Sequence, residues 1–322
     1  MVKFLVSGLV NIETTLRVES FPIEYSPVRY AFGGVSESVS GVGVNVAKAL
    51  KALGDEPAFL SIVGDDEGGR EAIGALGGFG IETDLVLPLV AETARSVILY
   101  DDRGRRQINV DLKDIQEMRY PDDKFLDAVM RAGERPGAPA DLFGSLVAIL
   151  CNINFNRDLL PLAKRRGITV CSDVHVLSDP SDAYNADFMR AAEILFLSDE
   201  GLWAPPAEAA RELMDKYGCR IVVVGMGARG ALLLEKGRPV FMQPAILTRP
   251  VVSTIGAGDA LFASFVHYHF SGYDARDSLT RASAFASWKI GARGAAEGFP
   301  DTDGVEALLA KTGTGPSTRG IG

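Results

Sequence analysis

Four apolar stretches decide the fold: LVAILC at residues 146–151, ITVCS at 168–172, ILFL at 194–197 and IVVV at 221–224. Each has the length of a strand. None alternates polar with apolar residues, so both faces of each must be covered. Helical periodicities separate them, over residues 156–166, 181–192 and 205–217. Strand–helix alternation with wholly apolar strands predicts a mostly parallel α/β sheet with helices on both faces. Downstream, residues 231–235 and 239–242 read as a hairpin, and two long helices over 256–270 and 275–289 close the fold. Upstream, residues 3–9 read as a buried strand, 57–63 as another and 67–76 as a helix. A helix also starts at Ser40 or Gly41 and stops at Gly54, a residue suited to the helix C-terminus.

The first third also carries half-exposed strand patterns that do not belong to this rhythm. They lie at 14–19, at 28–32 after Pro27, and at 96–101 and 105–110 around the turn Asp102-Arg103-Gly104. Too short to form a domain, they predict a small β-lid built from 14–36 and 93–112. Residues 1–310 therefore read as a single α/β domain. Residues 131–140 read as a loop, and 311–322, rich in Gly, Ser and Thr, as a flexible tail.

Composition narrows the function classes. Thirty-three Lys and Arg against forty-two Asp and Glu leave a net charge of −9. That balance argues against a nucleic-acid partner, which needs a basic face. No apolar run reaches the roughly 18 residues of a membrane span, so no membrane partner is expected. Glu13 follows the apolar N-terminal run at once and no small-residue cleavage site follows it, so no export signal is read there. Three scattered cysteines, Cys151, Cys171 and Cys219, suit buried thiols in a reducing cytoplasm. His267 and His269 stand two apart on a helix and face different ways, so no zinc site is expected from them.

Three segments hold candidate chemistry. In Ser253-Thr254-Ile255-Gly256-Ala257-Gly258-Asp259 a loop of small residues runs into a helix. The free amides and positive dipole end of such a helix bind anions. Asp259 there either caps the helix or acts as a base toward a hydroxyl beside a bound phosphate. In Ser40-Gly41-Val42-Gly43-Val44-Asn45-Val46 glycines open another helix. A dinucleotide fingerprint fails because Val46 stands where Gly or Ala is needed. Asn45 is either a surface residue or a polar group aimed at a ligand. In Gly8-Leu9-Val10-Asn11-Ile12-Glu13 a strand ends in polar residues, as at a ligand crevice or a solvated loop.

Taken together these segments resemble the ribokinase-like sugar kinases, the PfkB carbohydrate kinase family. The resemblance spans roughly residues 3–300. It includes Leu53-Gly54 at a helix end, Val63-Gly64-Asp65-Asp66 followed by Gly68, and the turn from Val223 to Gly230. It implies an ATP-dependent kinase with Mg²⁺ carried on the nucleotide, acting on the primary hydroxyl of a small unphosphorylated sugar or sugar acid. A nucleoside kinase of the same fold is the alternative substrate class, and a non-catalytic sugar or nucleotide sensor the alternative from another class. It further implies that Asp259 is the base and that the amides of Gly256, Ala257 and Gly258 form the anion hole. Asn11, Glu13, Gly41 and Asn45 would hold the sugar. Gly225, Gly227, Gly230 and Ser283 would flank ATP, and Glu200 would serve the metal. Lids in this family often pair subunits, so a homodimer through the lid is expected.

The chain departs from the family pattern at several places. Ser253 replaces an acid associated with a monovalent-cation site, which implies weak K⁺ dependence. Ser198 and Gly201 replace the Asn and Glu of the Mg²⁺ segment, leaving Asp199 or Glu200 to compensate. Val42 stands where phosphofructokinase-like members carry Lys, which favours an acceptor without phosphate. Asp173-Val174-His175 replaces a more usual Asp-x-Asn.

Overall fold

The computed structural model describes residues 3–133 and 146–313. In chain order its strands are β1 (Lys3–Ser7), β2 (Asn11–Arg17), β3 (Val35–Ser40), β4 (Ala58–Gly64), β5 (Val86–Val90), β6 (Arg95–Tyr100), β7 (Arg106–Asp111), β8 (Leu146–Leu150), β9 (Thr169–Asp173), β10 (Ile194–Ser198), β11 (Ile221–Gly225), β12 (Ala231–Glu235) and β13 (Phe241–Gln243). The helices are α1 (Val42–Ala52), α2 (Glu67–Gly78), α3 (Asp122–Gly133), α4 (Leu159–Arg165), α5 (Ala186–Ala191), α6 (Pro206–Tyr217), α7 (Ala257–Phe270), α8 (Ala275–Lys289) and α9 (Thr302–Thr312).

Among the described residues, nine strands form one sheet in the order β13-β12-β11-β10-β9-β8-β1-β4-β5. The strands from β11 through β5 run parallel, and β12 and β13 close one edge antiparallel. The two-residue period of each strand feeds two cores. On β1, Phe4 and Val6 pack with Phe262, Phe265 and Phe285 of α7 and α8. Leu5 packs on the other face with Phe155, Phe188 and Leu213. Each fully buried Leu or Phe is worth about 1.5–3 kcal/mol, so both helical layers are held by the same seven strands.

The chain leaves β1 to one side for β4 and β5, then returns to β1's other side for β8. Such a switch point opens a crevice at the carboxyl ends of the strands, where ligands bind. A second sheet, β3-β2-β6-β7, stands beside it. The aspartate of the Val63–Asp66 motif anchors this sheet. Asp66 accepts from Gly69 N at the start of α2 and from both Thr93 N and Thr93 Oγ1, two residues before β6.

Several expectations need correction. Residues 28–32 are not a strand; the third strand of the small sheet is Val35–Ser40. Val28, Tyr30 and Phe32 are apolar but exposed, with no second layer to pack on. Strand β5 and helix α3 were not expected. The helix expected over 156–166 begins only at Leu159, because Asn156 is drawn elsewhere. Its side chain accepts from Ser7 Oγ and donates to the Ser7 and Cys151 carbonyls. The helix expected over 181–192 shortens to Ala186–Ala191. A boundary at 310 falls inside α9, which continues through Lys311 and Thr312 to Gly313, left-handed at φ 68°. Arg131 to Gly133 belong to α3 rather than to a loop. Residues 134–140 of that loop and 314–322 of the expected tail lie outside the described residues.

Candidate active site

The period of β2 places Asn11 and Glu13 on one face of the small sheet. Glu13 lies opposite Ser96 of β6, and Asn11 opposite Ser40 of β3. Both side chains are buried. Asn11 Nδ2 donates to Ser96 Oγ at 2.8 Å. Asn11 Oδ1 and Glu13 Oε1 have no hydrogen-bond partner. Buried polar atoms are seldom left so, and two side by side mark a place where a hydroxyl-bearing ligand would complete the network. Burial raises the pKa of the Glu13 carboxyl, partly offset by hydrogen bonding from Ser40.

Helix α1 starts at Gly41, where φ is 111° and a Cβ would stand 2.4 Å from the Leu9 carbonyl oxygen. Only glycine fits there. This tight entry brings Asn45, one turn along, over the crevice. Ser40 Oγ donates to Asn45 Oδ1 at 3.3 Å, and Asn45 Nδ2 donates to Asp259 Oδ2 at 2.6 Å. The Ser40–Val46 and Ser253–Asp259 segments thus meet through one amide.

Asp259 is the third residue of α7. Gly256 ahead of it is left-handed at φ 73°, and a Cβ there would meet the Ala295 carbonyl at 2.5 Å. No side chain caps this helix, so Asp259 does not spend its carboxylate on capping. Ala257 N donates to the Thr254 carbonyl at 3.2 Å. A Cβ on Gly258 would meet nothing within 4 Å, so an anion has open access to the helix start. Burial raises the pKa of the Asp259 carboxyl, while His175 and the Asn45 hydrogen bond oppose that rise.

His175 therefore lies at the site. Asp173, His175 and Asp259 each bring a ligand-capable atom within 4.8 Å of the others. His175 has φ 58°, and its amide donates to Asp173 Oδ1 at 2.8 Å, closing a tight turn at the end of β9.

The glycine turn after β11 lies along the same edge of the sheet. Gly225 ends the strand, Gly227 has φ 56°, and Gly230 has φ 98°, where a Cβ would run into the Gln243 carbonyl and the Ala245 amide. Ser283 of α8 is buried, and its Oγ has no partner. Asp199 is paired with Arg229. Glu200 is largely exposed, its Oε1 4.0 Å from Arg106 Nη2, and it stands apart from the Asp173–His175–Asp259 group. The hairpin of β6 and β7 reaches the phosphate-side loop directly. Arg106 Nη1 donates to Thr254 Oγ1 at 3.2 Å, and Ile98 packs with Ile255 and Ala295.

Sequence reasoning did not find Ser40, Ser96 or Lys289. The two serines become visible only through strand register. Lys289, the last residue of α8, looks in sequence like an ordinary cation at a helix C-terminus. The structure buries it completely.

An anion-ready helix start, a buried carboxylate and an acceptor-side polar cluster meet at the switch point of an α/β sheet, which is the arrangement of a phosphotransferase. Residues 1–132 and 174–302 match the profile of the pfkB family carbohydrate kinases. The chain belongs to that family. It is a sugar kinase of the ribokinase family, transferring phosphate to a hydroxyl group. It is 28% identical over 322 residues to the ATP-dependent ribose-1-phosphate kinase of Halopiger xanaduensis, covering 97% of this chain and 99% of that protein. The microbiome-derived acarbose kinase Mak1 superposes with a TM-score of 0.82 at 24% identity, covering 96% of this chain and 98% of that one. Ribokinase of Arabidopsis thaliana, complexed with ribose and ATP, superposes at 0.76 with 23% identity and the same coverage. No helix among the described residues is long and apolar enough to cross a membrane.

Proposed function

We propose that the protein phosphorylates the primary hydroxyl of a small, unphosphorylated sugar or sugar acid at the expense of ATP. The observation that carries this reading is the 2.6 Å contact between Asn45 and Asp259. It puts the base within reach of whatever the Asn11–Glu13–Asn45 cluster holds. Asp259 takes the acceptor hydroxyl's proton as that oxygen bonds to the γ-phosphorus and the bond to the ADP oxygen breaks. The Gly256 and Gly258 amides, with the α7 dipole, stabilise the charge on the phosphoryl group in flight, and the Ala257 amide joins them once it leaves the Thr254 carbonyl. Asn11, Glu13, Gly41 and Asn45 orient the sugar. Gly225, Gly227 and Gly230 border the nucleotide, and Ser283 offers its unpartnered hydroxyl on the adenine side.

The uncapped helix start and the open face over Gly258 fit a phosphate chain. With Asp199 held closely by Arg229, Glu200, more exposed and 4.0 Å from Arg106, is the acid that would hold a water of the metal. Mg²⁺ bound with the nucleotide would neutralise phosphate charge. Three carboxylates, Glu13, Asp173 and Asp259, gather on the acceptor side, which disfavours a dianionic acceptor there. The test is a panel of free sugars, sugar acids, nucleosides and sugar phosphates, read by ADP release. Highest kcat/KM for a free sugar or sugar acid is expected. A preference for ribose 1-phosphate or another phosphorylated acceptor would overturn the unphosphorylated assignment.

A further inference from the structure

Lys289 ends α8 where a lysine side chain could run out to water, yet it is wholly buried. Its ammonium donates to the carbonyl of Ile255, the peptide directly ahead of Gly256. The same end of α8 grips this loop twice more. The amides of Val252 and Ser253 both donate to the Ile290 carbonyl, at 2.8 and 3.0 Å. The charged groups that act on Lys289 come from several elements: Asp259 of α7, Glu13 of β2 and Glu297 after α8 favour its charge, and Arg106 of β7 opposes it. Ser253, whose Oγ accepts from Ile255 N at 3.3 Å, supplies no charge to the loop. Burying an ammonium is unfavourable unless its charge is used by its surroundings. Here those surroundings are the two site carboxylates and the peptide that leads into the anion hole.

We infer that Lys289 is a positioning residue for phosphoryl transfer: its ammonium is a cation tethered to the protein that fixes the Ile255 carbonyl and so aims the Gly256–Gly258 amides. The ammonium also offsets the charge of Asp259 and Glu13, so that base and acceptor carboxylate are tolerated together. Burial brings its pKa down to about 8, against the pull of Asp259 and Glu13, so the free enzyme loses this charge in mildly alkaline solution.

The inference rests on the kinase reading, and the wild-type protein separates the two. Failure of the wild type to bind MgATP and to turn over any acceptor refutes that reading, whereas every outcome below is a difference from wild type. Lys289→Met is expected to lower kcat by about 100-fold, as misaimed groups do, with the acceptor KM little changed. MgATP affinity, measured by calorimetry, should weaken in parallel, and a melting curve establishes that the variant is folded. Lys289→Ala leaves room for a small cation. Ammonium or methylammonium at constant ionic strength should restore its kcat and MgATP affinity, and bulky tetramethylammonium should not. Should the neutral variants fail to fold, the pH profile of kcat/KM, which reports the free enzyme, still decides. Its alkaline limb should move upward in Lys289→Arg, whose charge persists. Lys289→Met with more than half of wild-type kcat, a folded Lys289→Ala unmoved by ammonium, or an unchanged alkaline limb in Lys289→Arg would each overturn the inference.

Discussion

Asp259 meets two demands that oppose each other. As the base proposed above it must be ionised at working pH, yet its burial favours the protonated form. The Asn45 amide on Oδ2 resolves part of this conflict by donating to the charged form. In the proposed mechanism it also leaves Asp259's other oxygen for the acceptor. Asp259→Asn keeps the size of the side chain and removes its proton affinity. We expect kcat to fall by ~10²–10⁴, the usual cost of losing a general base, with ATP binding retained in calorimetry. A variant keeping more than half of wild-type kcat would remove Asp259 from the chemistry. In the proposed mechanism Glu13 belongs to the acceptor side, 246 positions earlier in the chain. Its unpartnered Oε1 is the place left for a sugar hydroxyl. Glu13→Ala should raise the acceptor KM far more than the ATP KM in steady-state kinetics. A larger effect on ATP would reverse the assignment of the two subsites.

At the scale of elements, what could be read beforehand divides by physical cause. The strands β8 to β11 were legible because both their faces are buried, so apolar residues fill every position. Strand β3, with the sequence VSESVS, was not, because its first half is exposed and its two valines, four apart among polar residues, make no apolar run. Its place was mistakenly given to residues 28–32, whose aromatics resemble a strand in composition alone. Asp259, Asn45 and Glu13 were singled out beforehand only through the resemblance of their glycine-bordered segments to the family pattern, since each segment alone left a plain structural reading open. Lys289 was not, since its burial depends on how α7 and α8 pack, a tertiary fact with no local signature.

The loop between β13 and α7 yields a prediction of its own. Ser253 offers a neutral hydroxyl, and Lys289 already holds the Ile255 carbonyl. K⁺ should therefore change kcat/KM by less than about twofold relative to Na⁺ at matched ionic strength. A saturable, K⁺-specific activation of tenfold or more, again at matched ionic strength, would contradict it. Helix α7 yields another. Burial, then the nearby Arg220, brings the pKa of His269 down to about 4 from an unfolded value of 6.5. Below 6.5 the unfolded chain takes up a proton that the native protein refuses, so stability falls as pH drops toward 4. His269→Phe keeps the stacking on Phe265 and removes this proton. Denaturant midpoints at several pH values should fall less steeply for the variant, and superimposable slopes would refute the linkage.

At the scale of the whole molecule, the small sheet and the β2–β3 connection display Tyr25, Tyr30, Phe32, Ile108 and Val110 to solvent. Exposed apolar clusters of this kind serve association. Since the same sheet carries Glu13, we propose that it acts as a lid and pairs two copies of the chain. Sedimentation should give a dimer for the wild type and a monomer for Phe32→Asp combined with Ile108→Asp. A wild type that is monomeric at all accessible concentrations would dismiss this arrangement.

The bond between Asn45 and Asp259 joins residues 214 positions apart, and this has a bearing on how the protein is made. A ribosome adding 5–20 residues per second needs roughly 10 to 40 s to travel between them. Throughout that interval the emerging polypeptide carries Asn45 without Asp259 and the start of α7. On the proposed mechanism, the growing chain therefore has no base with which to activate a hydroxyl or a water. If Asp259 is that base, the capacity for phosphoryl transfer arrives last, after the groups proposed to hold the acceptor.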